Sequence, residues 1–166
     1  MKSENPSTCD LCDTHKADTT GNFRVLPPVF PSFGGITKFS GMVSTVKCFE
    51  DNSSVKQALD EPGAGRVLVV DGAASLRRAL VGGNIAAAAA KNGWAGVVVN
   101  GCVRDAAELA VTPIGLRALA LIPLPTLRRA EGERDVTVQI QGVWVRPGDW
   151  LYADEDGVVI SADKLG

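Results

Sequence analysis

The stretch from Leu80 to Leu109 constrains the fold more than any other part of the chain. Five consecutive alanines follow Ile85 and give near-maximal helix propensity, and Gly93 is placed to end that helix. Ala95 to Val99 is a short Val-rich run of the kind that forms a buried strand. Asn100 to Asp105 is predicted to form a second turn, after which a new helix begins. The stretch therefore predicts turn, helix, strand, turn and helix.

The lengths of the predicted helix and strand indicate that the two turns of this stretch lie close together. A helix of about eight residues spans roughly 12 Å, and a strand of about five residues covers roughly 17 Å. The strand can therefore run back beside the helix and bring its end to the helix N-terminus. There the backbone N–H groups of Gly83, Asn84 and Ile85, after the turn at Gly82, are expected to be unpaired and to favour an anion.

Arg104 and Asp105 follow directly in the second turn. The Arg104 guanidinium matches a carboxylate or phosphate, and the Asp105 carboxylate supplies the hard oxygen that Mg²⁺ or Mn²⁺ prefers. Together with the helix N-terminus, these groups predict a site for a small, acidic, metal-chelating substrate. Two alternatives stay open: the Gly-Gly turn can serve tight packing alone, and the Arg-Asp pair can be a surface ion pair or a helix cap.

Composition excludes several classes of function. At 166 residues the chain is most simply one domain, residues 1–166, with a net charge of −2 and a pI near 5.4. This balance argues against a direct nucleic-acid partner and against binding to an anionic membrane surface. No apolar run approaches the roughly 20 residues that span a bilayer, and the first ten residues lack a signal-peptide core. A cytoplasmic location is expected.

The cysteines near the N-terminus are not expected to bind metal. Cys9, Cys12 and His15 lie within seven residues of one another in the sequence. A structural zinc site requires a fourth ligand, however, and the chain has no other histidine. A surface helix from about Cys9 to Lys16, capped by Ser7 or Thr8, is favoured instead.

The rest of the first half alternates strands with helices. Thr19 to Gly35 is predicted as mostly extended loop, Met42 to Phe49 as a strand, and a helix capped by Ser53 or Ser54 follows. Arg66 to Asp71 is a continuous apolar strand, and Leu76 to Leu80 is predicted as a short helical piece. This order predicts parallel strand pairing with right-handed crossovers.

The second half is rich in β-structure. Ile114 to Ile122 is predicted as a strand, and the basic residues Arg128 and Arg129 as part of a surface connection. Four short strands between Val136 and Ile160, separated by tight turns, predict a small antiparallel or barrel-like sheet. The expected fold class is therefore α/β, with a partly parallel sheet and a β-rich C-terminal half.

Several segments in order resemble one known family, the regulators of ribonuclease E activity A, whose members include the 4-hydroxy-4-methyl-2-oxoglutarate aldolases. The segments that carry the resemblance are Phe33–Gly35, Val46–Asn52, Gly65–Gly72, Ser75–Ala79 and Gly148–Asp154. The resemblance implies a swivelling β/β/α fold of the phosphohistidine-domain type. It also implies a homotrimer, or a dimer of trimers, with sites near the subunit boundaries.

The resemblance extends to the pattern of the aldolase branch. In that pattern a glycine is followed after twenty residues by Arg-Asp and then by an acidic residue, a spacing that Gly83, Arg104, Asp105 and Glu108 fit. The regulatory branch does not retain the full signature. By resemblance, Arg104 and the backbone of Gly82 to Ile85 bind the substrate, Asp105 ligates Mg²⁺ or Mn²⁺, and Glu108 acts on metal-bound water.

Two functions of different classes follow. The first is a metal-dependent lyase that cleaves 4-hydroxy-4-methyl-2-oxoglutarate to pyruvate and decarboxylates oxaloacetate through the same enolate. The second is a non-catalytic protein that binds and inhibits a ribonuclease E-type enzyme. A methyltransferase of menaquinone synthesis is not expected, because no glycine-rich cofactor loop follows the first strand.

Three residues are weighed as other participants. Lys91 lies toward the far end of the alanine-rich helix, which argues against a Schiff base. His15 has no evident partner as a general base. Asp71 ends a buried strand, where a turn-forming role is favoured over a place in the site.

Overall fold

The computed structural model describes residues 5–166 as an α/β fold. The helices are α1 (Thr8–His15), α2 (Ser53–Leu59), α3 (Gly83–Lys91) and α4 (Ala106–Ala110). The strands are β1 (Phe23–Val25), β2 (Phe39–Lys47), β3 (Val67–Asp71), β4 (Ala79–Val81), β5 (Gly96–Val103), β6 (Gly115–Leu121), β7 (Glu133–Arg134), β8 (Val138–Ile140), β9 (Val143–Val145), β10 (Trp150–Asp154) and β11 (Gly157–Ser161). Residues 1–4, part of the segment in which no signal peptide is expected, lie outside the described range.

A nine-stranded mixed sheet is the centre of the fold. Its strand order is β1-β11-β10-β2-β3-β5-β4, with β6 also paired to β5 and β7 to β2. Strands β2, β3, β5 and β6 are parallel, as the alternation of apolar strands and helices predicts. Strands β10 and β11 extend the sheet in antiparallel pairing. The α/β class predicted from the sequence is confirmed; the relation to swivelling domains stays a prediction.

Successive side chains of the central strands point to opposite faces of the sheet and contribute to two hydrophobic cores, one on each face. In β3, Leu68 and Val70 pack toward the helices, while Val67 and Val69 pack on the other face. The helix side includes Val55, Leu59, Ile85, Ala89 and Leu109. The opposite side includes Phe30, Phe39, Val138, Ile140 and Leu151. Helices α2, α3 and α4 are therefore fixed to the sheet by apolar burial.

Helix α3 and the turn after β5 meet at one edge of the sheet. Strand β4 ends at Val81, directly before α3, and β5 ends at Val103. The backbone N–H of Arg104 donates a 3.0 Å hydrogen bond to the carbonyl of Val81, which joins the two strand ends. The prediction that both turns of the central stretch lie together is confirmed.

Two local predictions within the first half are wrong. Residues Leu76 to Leu80 form no helix; Ala79 instead begins β4 and donates its N–H to Leu124 at 2.7 Å. Strand β5 also continues through Asn100 to Val103, where a turn was predicted. Asn100 pairs with Asp71 of β3, and Cys102 pairs with β4 and β6. Pairing on both sides thus overrides the turn preference of Asn-Gly.

The first loop and the second half differ from prediction in how strands associate. Strand β1 lies inside the segment predicted as extended loop and pairs with β11. The predicted strands of the second half are present, yet only β8 and β9 form a separate two-stranded sheet. Strands β10 and β11 join the main sheet instead, because β2 offers a free edge to β10.

The helices α1 and α2 are present close to where the sequence places them. Ser7 caps α1 and accepts a hydrogen bond from the Asp10 N–H at 3.4 Å. At α2 the capping position belongs to Asn52, not to Ser53 or Ser54. Across residues 5–166, every helix falls short of the length and apolar character that crossing a bilayer requires.

Candidate active site

A small polar pocket of about 100 Å³ lies at the sheet edge where β4 and β5 end. Predicted site residues that line it are Gly82, Asn84, Ile85, Arg104 and Asp105. Residues that the sequence did not single out for the site also line it, namely Asn52, Ala79, Pro125, Thr126 and Arg128. The fold thus brings the two turns of the central stretch together with two further segments of the chain.

The carboxylate of Asp105 is bound at the N-terminus of α3. Its Oδ2 accepts a 2.8 Å hydrogen bond from the backbone N–H of Gly83. Asp105 adopts the left-handed conformation, with φ 68° and ψ 48°, and makes no side-chain cap on its own helix α4. Aspartate tolerates this conformation better than most residues do. The backbone therefore turns the carboxylate away from α4 and toward α3.

This contact corrects one prediction about the helix N-terminus. The N–H of Gly83 was expected to be free for a substrate anion, but Asp105 occupies it. The N–H groups of Asn84 and Ile85 have no intrahelical acceptor, as in the first turn of any helix. No hydrogen bond within residues 5–166 reaches them. The donors open to an exogenous anion are thus these two.

The Arg104 guanidinium has little to hold it in the described part of the chain. Its Nη1 lies 3.5 Å from the carbonyl oxygen of Pro123, at the limit of a hydrogen bond. None of the ion pairs among residues 5–166 includes Arg104. The alternative of an Arg104–Asp105 surface ion pair is therefore wrong, while Asp105 does cap a helix, namely α3.

A Cβ at position 82 or 83 would force neighbouring side chains to shift. A Cβ at Gly83 would overlap Oε2 of Glu108 and lie 2.9 Å from its Cδ. A Cβ at Gly82 would lie 2.8 Å from Asp105 Oδ2 and 3.3 Å from Arg104 Nε. The backbone of Gly82 is extended, with φ −122°, so no left-handed conformation is involved. These glycines let the side chains of Arg104, Asp105 and Glu108 pack directly against the start of α3.

The carboxylates here suit a hard divalent cation with few protein ligands. Oδ1 of Asp105 accepts no hydrogen bond from residues 5–166, and Glu108 lies one helical turn further on. Within that described range no group of three or more His, Cys, Asp and Glu side chains could enclose a metal. Mg²⁺ often binds through one or two carboxylates and keeps several waters. The donor set therefore fits Mg²⁺ or Mn²⁺ and does not fit a closed zinc site.

Asn52 lines the pocket although no motif in the sequence indicates it as a site residue. Its side chain is 8% exposed, and its Nδ2 donates to the carbonyl of Leu80 at 3.1 Å. Its Oδ1 is buried without a hydrogen-bond partner, a costly arrangement in a folded protein. One signal could have identified it: Asn52 follows β2, which is parallel to β3 and β5 and ends at the same edge.

Three other candidate participants lie outside the pocket. His15 stacks on Phe23 with ring centroids 5.1 Å apart. Asp71 accepts a 2.9 Å hydrogen bond from the N–H of Ala73, as a turn former does. Lys91 is the last residue of α3, at the end opposite the pocket. None of the three lines the pocket.

The thiols of the N-terminal cysteines Cys9 and Cys12 both have a raised pKa. A hydrogen bond with Asp156 raises the pKa of the Cys9 thiol, and burial raises the pKa of Cys12. Both changes disfavour the thiolate that metal binding and nucleophilic attack require.

A larger groove of about 540 Å³ lies elsewhere, lined in part by Ser40, Arg66 and Lys164. Its arginine is already engaged, since Arg66 donates to the carbonyls of Gly63 and Pro62, each at 2.9 Å. Arg66 also packs 4.7 Å from the centroid of a Trp94 ring. The smaller pocket holds an arginine and an aspartate that are not paired with each other, which suits an anionic, metal-chelating ligand, and it is therefore the stronger candidate site.

The family model described as RraA-like, Aldolase/RraA, matches residues 8–160. This chain belongs to the RraA-like family. A relative from Albidiferax ferrireducens is 65% identical over 96% of both chains and is named "Putative 4-hydroxy-4-methyl-2-oxoglutarate aldolase". A relative from Alkalilimnicola ehrlichii, 56% identical over 95% of this chain and 96% of its own, has the same name.

Two solved structures are similar to this chain over nearly its whole length. The RNA-processing inhibitor RraA from Thermus thermophilis has a TM-score of 0.91 and 47% identity, covering 98% of this chain and 96% of its own. A protein from Geobacillus kaustophilus is named S-adenosylmethionine: 2-dimethylmenaquinone methyltransferase. It has a TM-score of 0.90 and 42% identity, and the match covers 96% of this chain and 97% of its own. The resemblance drawn from the sequence is thus confirmed at the level of the RraA-like family and fold.

Proposed function

We propose that this RraA-like chain is a divalent-metal-dependent lyase that cleaves 4-hydroxy-4-methyl-2-oxoglutarate to pyruvate and also decarboxylates oxaloacetate. The observation that carries the proposal is the pocket at the start of α3. There the Arg104 guanidinium, which pairs with no carboxylate among residues 5–166, lies beside an Asp105 carboxylate whose Oδ1 accepts no hydrogen bond from that range. The names of the two relatives support the same chemistry.

Substrate binding is assigned to the groups that remain open around the pocket. The 2-oxo acid carboxylate is placed against the N–H groups of Asn84 and Ile85, at the positive end of the α3 dipole. The Arg104 guanidinium binds the same carboxylate through two parallel hydrogen bonds. Both contacts favour a negatively charged ligand, and neither needs a lysine.

Asp105 is the residue that would hold Mg²⁺ or Mn²⁺. When bound, such an ion acts as a Lewis acid toward the negative charge left on the pyruvate fragment as the C3–C4 bond breaks. The Gly83 N–H orients Asp105 by holding Oδ2, which leaves Oδ1 for the ion. Glu108, packed against Gly83, would act as acid or base toward water held near Asp105.

The surface beside the pocket supports an assembly of copies of this chain. Leu121, Leu124 and Leu127 are between 47% and 50% exposed and follow one another along the segment that flanks the pocket. We place this apolar surface in a homotrimer, or a dimer of trimers, built from one cytoplasmic domain per chain. Sedimentation equilibrium checks the mass, and a monomer at micromolar concentration contradicts the assembly.

Inhibition of a ribonuclease E-type enzyme is the second candidate function. It is favoured by the similarity to the Thermus thermophilis RNA-processing inhibitor. A protein that only masks a ribonuclease has no use for the open Arg104 and Asp105 groups, so the lyase is preferred.

Pyruvate release tests the proposal directly. The purified chain is incubated with 4-hydroxy-4-methyl-2-oxoglutarate or oxaloacetate, with Mg²⁺, with EDTA, and with EDTA followed by excess Mg²⁺. The lyase predicts release from both substrates that EDTA abolishes and Mg²⁺ restores. Activity that EDTA leaves intact contradicts the metal assignment. Absence of release with every metal tried contradicts the lyase and leaves the ribonuclease inhibitor, which an RNA-cleavage assay then tests.

A further inference from the structure

A connecting segment, residues 124–131, forms part of the wall of the candidate pocket. It follows β6 and contributes Pro125, Thr126 and Arg128 to the pocket lining. The sequence predicts only a basic surface connection here. The structure instead places one of its two adjacent arginines, Arg128, in the same pocket as Arg104.

The first half of this segment is fastened to the strand ends that form the pocket. The N–H of Ala79 donates to the carbonyl of Leu124 at 2.7 Å. The N–H of Asn52 donates to Oγ1 of Thr126 at 3.2 Å. Asp51 and Leu127 form a parallel bridge. Arg128 therefore follows a fixed stretch of backbone.

The second half of the segment is fastened to the start of α2. Oδ2 of Asp51 accepts hydrogen bonds from the N–H groups of Arg129 at 2.7 Å and Glu131 at 3.4 Å. Oγ of Ser53 accepts one from the N–H of Ala130 at 3.1 Å. Asp51 is 1% exposed, so these bonds are shielded from water. Arg128 is thus held between two fastened stretches.

The charge of Arg128 is not used within the described part of the chain. Arg24, Arg77 and Arg134 each pair with a carboxylate at 2.9 Å or less, and Arg128 belongs to no such pair among residues 5–166. Its side chain also makes none of the side-chain hydrogen bonds found in that range, whereas Arg78 donates to the carbonyl of Pro125. A positioned but unpaired guanidinium at a pocket matches an anionic ligand.

Two open guanidinium groups at one pocket exceed what a monocarboxylate needs. Arg104 suffices for the carboxylate next to the keto group, while Asp105 and Glu108 are turned to the start of α3. We propose that Arg128 binds the second, distal carboxylate of the substrate and so selects dicarboxylic over monocarboxylic 2-oxo acids. This inference rests on the proposed function for the identity of the substrate and names the residue that determines its class.

Calorimetric titration with two inert probes tests the inference without requiring turnover. The probes are 2-oxoglutarate, a dicarboxylate, and pyruvate, a monocarboxylate, each with saturating Mg²⁺. Wild type, Arg128→Ala and Arg129→Ala are compared; Arg129 is the matched control because it shares the segment but does not line the pocket. Arg128→Ala should weaken 2-oxoglutarate binding by about 10- to 100-fold, the effect of losing a charge-assisted hydrogen bond. Pyruvate binding, and both affinities of Arg129→Ala, should be unchanged.

Each other outcome has a defined meaning. Equal weakening of both probes by Arg128→Ala overturns the inference, and so does no weakening, or wild-type protein that binds neither probe or both equally well. Circular dichroism melting of each variant excludes unfolding as the cause. If wild type prefers 2-oxoglutarate through Arg128 yet releases no pyruvate from 4-hydroxy-4-methyl-2-oxoglutarate, the dicarboxylate site stands and the proposed lyase fails.

Discussion

The backbone N–H of Gly83 donates a 2.8 Å hydrogen bond to the Asp105 carboxylate, joining the start of α3 to the end of β5. The contact places a negative charge at the positive end of the α3 dipole, a favourable arrangement. It also fixes one carboxylate oxygen and leaves the other open toward the pocket. A single hydrogen bond thus fastens a helix to a strand end and orients the proposed metal ligand.

Substitution of Asp105 should separate these two roles. Asp105→Asn keeps an oxygen that can accept from the Gly83 N–H and tolerates the left-handed backbone, but it loses the charge. Asp105→Ala loses both the acceptor and the favoured backbone. We expect both variants to lose more than about 100-fold in metal-dependent kcat/KM, beyond the effect of losing a group that only orients a metal ligand. Only Asp105→Ala should also lose about 1 kcal/mol of unfolding free energy, as a lost helix cap does.

Urea denaturation and Mg²⁺-dependent pyruvate release measure the two effects on the same preparations. An Asp105→Asn variant with near wild-type turnover would refute the metal assignment. Equal stability of the Asn and Ala variants would show that the Gly83 contact contributes nothing to folding.

The central stretch shows what the sequence can predict and what it cannot. The alanine run and Gly93 predict α3 correctly, and segment lengths predict that its N-terminus meets the end of β5. That Asp105 takes the Gly83 N–H depends on a left-handed φ of 68°, which no local pattern specifies. The extension of β5 through Asn100 likewise depends on neighbours that are distant in sequence. Local propensity predicts elements, whereas these contacts arise from tertiary pairing.

Replacement of Arg104 by lysine tests the two-bond contact with the substrate carboxylate. Lysine keeps the positive charge but lacks the planar pair of donors. We expect kcat/KM to fall by about 10- to 100-fold, the equivalent of one charge-assisted hydrogen bond. Circular dichroism should be unchanged, because the Arg104 side chain makes only one hydrogen bond within residues 5–166, at 3.5 Å to the carbonyl of Pro123. Steady-state kinetics with 4-hydroxy-4-methyl-2-oxoglutarate measures the effect, and full kcat/KM in Arg104→Lys would disprove the two-bond contact.

A methyl group at position 83 tests the packing of Glu108. Gly→Ala inside a helix usually stabilises by about 0.5–1 kcal/mol, but here the new Cβ would overlap the Glu108 carboxylate. Because Glu108 is exposed, its carboxylate can shift, and we expect Gly83→Ala to stabilise the chain by less than this amount. In the Glu108→Ala background the same substitution should give the full gain, since the obstructing carboxylate is gone. The free energies of unfolding of the four proteins in this cycle give the coupling. An equal gain from Gly83→Ala in the two backgrounds would show that Glu108 is not packed against α3.

One reason explains why sequence patterns did not indicate several residues that line the pocket. Asn52 lies in the connection before α2, and Thr126 and Arg128 lie in the connection after β6; the composition of both resembles ordinary surface loop. Their relation to the site arises from Asp51, whose side chain links the start of α2 to Arg129 and Glu131, 78 and 80 residues away. A sequence pattern of period 2 or 3.6 carries no information about such a contact. Parallel strand order narrows the search to the sheet edge but does not select the segment.

The carboxylate of Asp51 should make the free energy of unfolding depend on pH in the acidic range. Burial raises the pKa of its carboxyl group, but hydrogen bonds from Ser53, Arg129 and Glu131 outweigh burial and hold the pKa below its ordinary value. Because the folded-state pKa is the lower one, the carboxylate stabilises the fold above the unfolded-state pKa of about 3.9. That contribution is lost as the pH falls through the folded-state pKa. The unfolding free energy should therefore decrease steeply below about pH 4.

Asp51→Asn should remove part of this acid dependence, measured as urea unfolding free energy at intervals from pH 7 to pH 2. At pH 7 the variant should be less stable than wild type, because the amide group cannot satisfy the Arg129 and Glu131 N–H donors as a carboxylate does. Below about pH 4 the two curves should converge, since the wild-type carboxylate becomes protonated there. Asp60→Asn is the matched control, because Asp60 ends α2 in an exposed ion pair with Lys56, a contact of small expected value. Parallel curves for wild type and Asp51→Asn across the whole range would show that Asp51 does not contribute the acid-sensitive stability.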